Sequence, residues 1–365
     1  MRFVFKRSYN DDLKLFKHRA QMFWYLALLV FVVALPWLID GFLLGEATNI
    51  LIWAIAGMGL MVLAGHTGQA SLGHAAFMAL GCYATVIMLQ RGVPFIIAFP
   101  LAGLISGIAG VIIALPVLRL HGIYLAIATL AISVLSEDFI IIAAPWTGGV
   151  SGLVAPQFDI FGVDINRYGT PILFYFLTLV VTLLVLGAYR NILRAPLGRA
   201  FVAVRDSEIS AQAMGINITK TKAISFGISC AIVGLAGALL GLFAGAFNNE
   251  TFNLVLSIQL LLMIVIGGLG SIHGAFFGAL VIGFLPQGIA LSRDAISNAF
   301  GVSALTIPGI ESGVFALILI GFILFEPTGI YGRWIKIRTY FELFPFYRKG
   351  MFKRQKSYLK TERMK

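Results

Sequence analysis

Charge is scarce in this sequence. Asp, Glu, Lys and Arg make up 12% of its 365 residues, against 59% hydrophobic ones. A water-soluble domain carries about 25% charged residues. So much apolar surface cannot be hidden in one soluble core, which excludes a soluble globular protein. Cysteine is nearly absent. Cys82 and Cys230 both sit inside apolar runs, which leaves no disulfide framework and no metal-ligand spacing. No G-x-x-x-x-G-K-[ST] pattern occurs, so any ATP that powers this chain must be bound elsewhere. No small-residue cleavage site follows the first apolar run, and Phe23–Ile39 reads as a retained span.

What is present is hydrophobic length. Ten apolar runs are predicted to cross a membrane, at roughly 23–40, 49–64, 71–90, 93–118, 122–144, 170–190, 223–246, 254–268, 275–292 and 310–325. About 20 apolar residues span the hydrocarbon. The eighth run is short and flanked by glycine, which predicts a tilted, broken or re-entrant segment. Glycine reaches 40 residues, in keeping with helices that pack closely where lipid supplies no hydrophobic drive. The predicted fold class is therefore an all-α polytopic membrane protein.

The basic residues orient it. Six lie before the first run, one is Arg119, six lie in the 190–222 segment and eleven follow Phe325, while Arg91, Arg167 and Arg293 fall on the other side. Lys and Arg concentrate on the cytoplasmic side, so both termini are predicted to be cytoplasmic. The same distribution disposes of nucleic acid as a partner: the net charge of +11 sits at membrane edges, where it meets anionic lipid. Three regions follow: a basic arm over 1–22, a membrane domain over 23–332, and a basic amphipathic tail over 333–365. In the tail Trp334, Ile337, Phe341 and Phe344 are spaced like one helix face.

Two segments between spans stand out. Residues 145–169 are rich in Gly, Pro, Asn and Asp and read as an outer loop. Residues 189–222 are too polar to span. Pro196 marks a helix start and Gly215 a stop, with Phe201, Val204, Ile209, Ala213 and Met214 spaced like one face of a short surface helix.

The stretch "AGHTGQASLGHAAF", 64–77, concentrates polar groups among glycines and alanines. His66 and His74 have no Cys, Asp or Glu between them, which argues against zinc. Ser71 and His74 lack a carboxylate partner for a catalytic triad. An ion-coupled transporter would need carboxylates in the middle of the bilayer, where they are costly. Glu137 and Asp138 lie late in the fifth span, and Glu46, Glu250 and Glu311 lie near outer ends. That reading leaves a solute path, with Thr67, Gln69, Ser71, His74, Tyr124 and Thr129 as candidate lining, and His74 as a buried hydrogen-bonding residue. "GQASLGHAAF" at 68–77 also has a partial echo in "GGLGSIHGAF" at 267–276. Transporters are often built from structural repeats, so an internal repeat is possible.

At this point the residues resemble a family. "GHTGQASLGHAAFMALGCYA" (65–84), "HGIYLAIATLAIS" (121–133), "TGGVSGL" (147–153), "PLGRAFVAVRDSEISAQAMGIN" (196–217), "GGLGSIHGAFFGA" (267–279) and "FEPTGIYG" (325–332) occur in that order. Together they are similar to the permease subunits of branched-chain amino-acid ABC importers of the LivM type. His66 and His121 depart from the pattern. The resemblance implies a multi-pass protein of the bacterial inner membrane with no catalytic role, no metal and no cofactor of its own. It implies a second permease subunit, a periplasmic substrate-binding protein and two cytoplasmic ATPase subunits carrying ATP and Mg. It also places Arg199, Arg205, Glu208 and Gly215 in the segment that contacts an ATPase. The rival is an ion-coupled secondary transporter or channel for a small polar solute.

Overall fold

The computed structural model describes residues 19–117, 123–160, 162–300, 310–325 and 328–343. Arg119, His121 and Phe344, the basic arm before Arg19 and the tail beyond Leu343 lie outside them.

Helices dominate, as the apolar runs require. In chain order they are α1 (Arg19–Ala34), α2 (Gly41–Leu60), α3 (His74–Gln90), α4 (Phe95–Val117), α5 (Ile123–Ile142), the short α6 (Ala144–Thr147) and α7 (Pro171–Arg194). Then come α8 (Pro196–Asp206), α9 (Glu208–Ala213), α10 (Ile218–Ala244), α11 (Leu254–Gly267), α12 (Ile272–Phe300), α13 (Ile310–Phe325) and α14 (Gly329–Leu343). Each of the ten expected spans falls on a helix. Among the described residues, seven helices are long and apolar enough to cross a membrane, and Gln21–Trp37 and His74–Gln90 are apolar but shorter. Polar side chains close several helix starts. Asn217 accepts from Lys220 N at 2.9 Å to begin α10, and Asn253 accepts from Leu256 N at 3.1 Å to begin α11.

α10 is the axis of the bundle, packed against α2, α3 and α4. Its contact face is small. A Cβ on Gly237 would run into the carbonyl of Met78, and one on Gly81 of α3 would run into the carbonyl of Gly234. Backbones this close gain dispersion contacts that larger side chains would forbid. α5 lies at the periphery, with Ile127, Leu135, Phe139 and Ile142 exposed, so this face meets lipid or another chain.

α8 and α9 lie together at one end of the bundle. At the opposite end, the 145–169 segment is more ordered than its loop-like composition predicts. Strand β1 (Leu153–Val154) pairs antiparallel with β4 (Ala246–Phe247), and β2 (Phe158–Ile160) pairs with β3 (Val163–Ile165). Strands of two and three residues are too short to show an alternating pattern. Phe158 stacks on Phe95 with centroids 4.6 Å apart, and Tyr83 meets Phe247 edge-on at 5.0 Å. These rings fasten the cap to α3 and α4.

The polar 189–222 segment also differs from its expectation. It forms two helices, because Ser207 takes an extended conformation and caps α9 by accepting from Ser210 N. Phe201 and Val204 are buried as the spacing predicts, but Ala213 is exposed, Ile209 and Met214 are 83% and 84% exposed, and Ala211 is buried in their place. The break turns them away from the bundle. In α14, Trp334, Ile337 and Phe341 are all exposed.

Candidate functional site

The 64–77 stretch joins α2 to α3. α2 does not stop at Leu60 but widens into a π-helical turn, Met61–His66. Such turns are rare and concentrate at functional sites. Gly68 then takes φ of 71°, and the chain turns into α3 at His74. Every candidate path residue of this turn has a structural partner. Thr67 Oγ1 donates to Val62 O at 2.9 Å, and Gln69 Nε2 donates to Ser225 Oγ at 3.1 Å. Leu72 N donates to Thr129 Oγ1 at 2.9 Å, tying the turn to α5. Ala75 N donates to Ser257 Oγ at 3.0 Å, tying α3 to α11.

His74 is fully buried between two serines, with Nδ1 3.0 Å from Ser71 Oγ and Nε2 2.8 Å from Ser229 Oγ. Ser229 Oγ already donates to Gly59 O at 2.7 Å. Its oxygen therefore receives the Nε2 proton, and Nδ1 of the neutral ring accepts from Ser71. His74 is the buried hydrogen-bonding residue its surroundings in the sequence suggest. His66 is held separately, its Nε2 2.6 Å from the hydroxyl of buried Tyr189. Tyr124, by contrast, is 68% exposed on α5 and stands apart from this network. Of the buried groups, Gln69 Oε1 has no partner among the described residues.

The echo histidine, His273, lies in the first turn of α12 as His74 lies at the start of α3. Its surroundings differ. Tyr25 Oη lies 2.6 Å from its Nε2, and Tyr331 stacks on it with centroids 4.9 Å apart.

At the α8–α9 end, α8 starts with Pro196 at its first position, and α9 runs to Ala213 and is stopped just beyond it at Gly215. Gly215 has φ of 83°, Ile216 N reaches Ala211 O at 3.0 Å and Gly215 N reaches Gln212 O at 3.0 Å. This is a Schellman termination, for which glycine is the favoured residue. Glu208 is turned toward the bundle, accepting from the buried Lys222 Nζ at 2.7 Å. Arg199 is exposed. Arg205 reaches inward, its Nη1 donating to Gly65 O at 3.0 Å. Both glycine-rich turns close on it. A Cβ on Gly68 would lie 3.0 Å from Arg205 Cγ, and one on Gly270 would lie 3.4 Å from Arg205 Nη1. Gly270 N also contacts Met61 Sδ at 3.1 Å. A side chain of the α8–α9 pair is thus wedged between the turns that begin α3 and α12.

At the opposite end, sequence reasoning missed two features. Glu137 Oε1 accepts from Leu254 N at 3.0 Å, so it caps α11. The side chains of Glu46, Asn49, Trp53, Gln259 and Gln287 face one cavity of about 210 Å³ between α2, α11 and α12. A neighbouring cavity of about 310 Å³ lies between α2, α7 and α10, with Arg167 at its wall. The available signal was an Asn and two Gln within apolar runs and a Glu just ahead of one. Their convergence needs the fold. No three of His, Cys, Asp and Glu gather into a metal site among the described residues.

This architecture is that of a multi-pass membrane permease. Residues 42–325 match the family described as branched-chain amino acid transport system / permease component, and the chain belongs to that family. It is 33% identical over 284 residues to the high-affinity branched-chain amino acid transport system permease protein LivM of Salmonella typhimurium, covering 72% of this chain and 67% of that one. The LivM protein of Escherichia coli is 32% identical with the same coverage. A probable LivH permease of Methanocaldococcus jannaschii is 27% identical over 298 residues, or 80% of this chain and 91% of that one. No solved structure matches the chain significantly. The chain is a multi-pass membrane transport component of the bacterial inner membrane.

Proposed function

We propose that this chain is the permease subunit of an ATP-driven importer for branched-chain or related amino acids. A periplasmic binding protein delivers the solute, a second permease subunit pairs with this one, and two cytoplasmic ATPases supply the energy. Both termini face the cytoplasm. The observation that carries the reading is the wedge of Arg205 between the turns at Gly65–Gly68 and Gly270. Motion of α8 and α9 has a rigid route into the starts of α3 and α12, and alternating access follows if an ATPase moves that pair. The echo between 68–77 and 267–276 suits a pair of related turns at the two ends of this route.

The contact with the ATPase falls on what α8 and α9 leave outward: Arg199, Ile209 and Met214. Exposed apolar side chains beside a charge suit a protein interface. Ile209→Asp with Met214→Asp is expected to strip the ATPase from the complex purified by a tag on this chain, with thermal stability of the membrane part unchanged. Full retention of the ATPase, together with unchanged uptake, counts against this docking surface.

A further inference from the structure

Glu46 is a carboxylate carried by a spanning helix, one of the few of the 16 acidic residues so placed. A charge there is costly and marks function when a polar cavity receives it. Glu46 Oε1 accepts from Gln287 Nε2 at 3.3 Å, so the glutamine of α12 leans across to the glutamate of α2. Asn49 lies one turn further along α2 and Gln259 projects from α11 into the same space, with Trp53 and Pro286 as apolar walls. Three helices thus contribute a carboxylate and three amides to one cavity of about 210 Å³. Packing between spans needs none of these groups, since a stripe of small or branched apolar residues would serve it.

Depth supports a solute station. Glu46 is five residues beyond Gly41, the start of α2, and Gln259 is five residues beyond Leu254, the start of α11. At about 1.5 Å per residue both lie roughly 8 Å inside the end opposite α8 and α9. Trp53 lies twelve residues along α2, roughly 18 Å in, near mid-membrane. The cavity therefore leads inward from the periplasmic side under the proposed orientation.

We infer that this cavity is a binding station for the ammonium group of an α-amino acid, with Glu46 as its counter-charge. The amides of Asn49, Gln259 and Gln287 both donate and accept, so they fit the solute's carboxylate. Trp53 packs against its apolar side chain. The inference rests on the amino-acid reading above and adds the place and the charge that select the solute.

The test uses the whole importer in vesicles and single cysteines at Asn49→Cys and, independently, Gln259→Cys. The native Cys82 and Cys230 are buried and give little background. Asp159→Cys, in the exposed β2–β3 hairpin, is the positive control. A cationic methanethiosulfonate reagent is expected to label position 49 or 259 roughly tenfold faster than an anionic one. Glu46→Gln is expected to erase that preference and Glu46→Asp to keep it. Each cysteine removes one amide and leaves Glu46 and two amides, so a weakened site still binds at high solute: saturating L-leucine slows the cationic labelling at one position or the other, and 4-methylpentanoate, which lacks the amine, does not. Cysteines inert at both positions while the control reacts, equal rates for the two reagents, or no protection by L-leucine overturns the inference. The labelling needs no ATP. Its failure is therefore distinct from that of ATP-driven transport, which uptake measures separately.

Discussion

The guanidinium of Arg205 donates to the carbonyl of Gly65 at 3.0 Å, across 140 residues of sequence. The same side chain pairs with Asp206 at 3.1 Å on the exposed side. The exposed pair contributes little. The bond to Gly65 lies at the mouth of the π-helical turn, and a charge-assisted bond of this kind is worth about 1.5–3 kcal/mol when shielded.

Arg205→Ala is expected to uncouple the importer. The complex should assemble and hydrolyse ATP, while uptake per ATP falls about tenfold, the equivalent of about 1.4 kcal/mol in the coupled equilibrium. Parallel measurement of phosphate release and solute uptake checks it. Equal loss of both would place Arg205 in assembly instead.

Lys222 and Glu208 give a second prediction. Lys222 is only 6% exposed, so removing its partner leaves an unpaired buried cation. Such a loss costs 3–5 kcal/mol in a fully buried site. Glu208 is 37% exposed, and solvent reduces the cost to about 1–3 kcal/mol. Glu208→Gln should lower the melting temperature of the membrane part and weaken ATPase binding. Glu208→Gln with Lys222→Met should recover most of the stability, because no charge is then stranded. A double mutant as unstable as the single one would refute the pairing.

Gly237 tests the packing of the axis helix. Its α-hydrogen faces the carbonyl of Met78, and the obstacle is backbone that cannot rotate away. Gly237→Ala should separate α3 from α10 at a cost of at least about 1–3 kcal/mol, the usual range for overpacking. Gly288→Ala, where nothing lies within 4 Å, is the matched control in a helix of the same protein. Thermal melts in detergent compare the two directly.

The fold was legible where length and punctuation carry it. Apolar runs locate the spanning helices, Pro196 and Gly215 mark the limits of the α8–α9 segment, and the short eighth run becomes the 14-residue α11. What escaped depends on partners remote in sequence. Gln69, His74 and Thr129 look like path lining because their polarity is visible and their partners across the fold, Ser225, Ser229 and Leu72 N, are not. Glu46 looks like an end-of-span residue until α11 and α12 bring Gln259 and Gln287 beside it. The break at Ser207 did leave a sign, since serine favours a helix start over a helix interior and Glu208 suits a first turn, but the apolar spacing running across it masked that sign.

The central claim is that another chain's ATP hydrolysis drives solute through this one. Its most direct test is uptake of labelled L-leucine into vesicles holding this chain, its partner permease and the ATPases, with the binding protein outside and ATP inside. The account predicts accumulation that requires ATP, stops when the ATPases are omitted, and survives ionophores that collapse proton and sodium gradients. Accumulation by this chain without the ATPases, driven by an imposed ion gradient and abolished by the same ionophores, would contradict it.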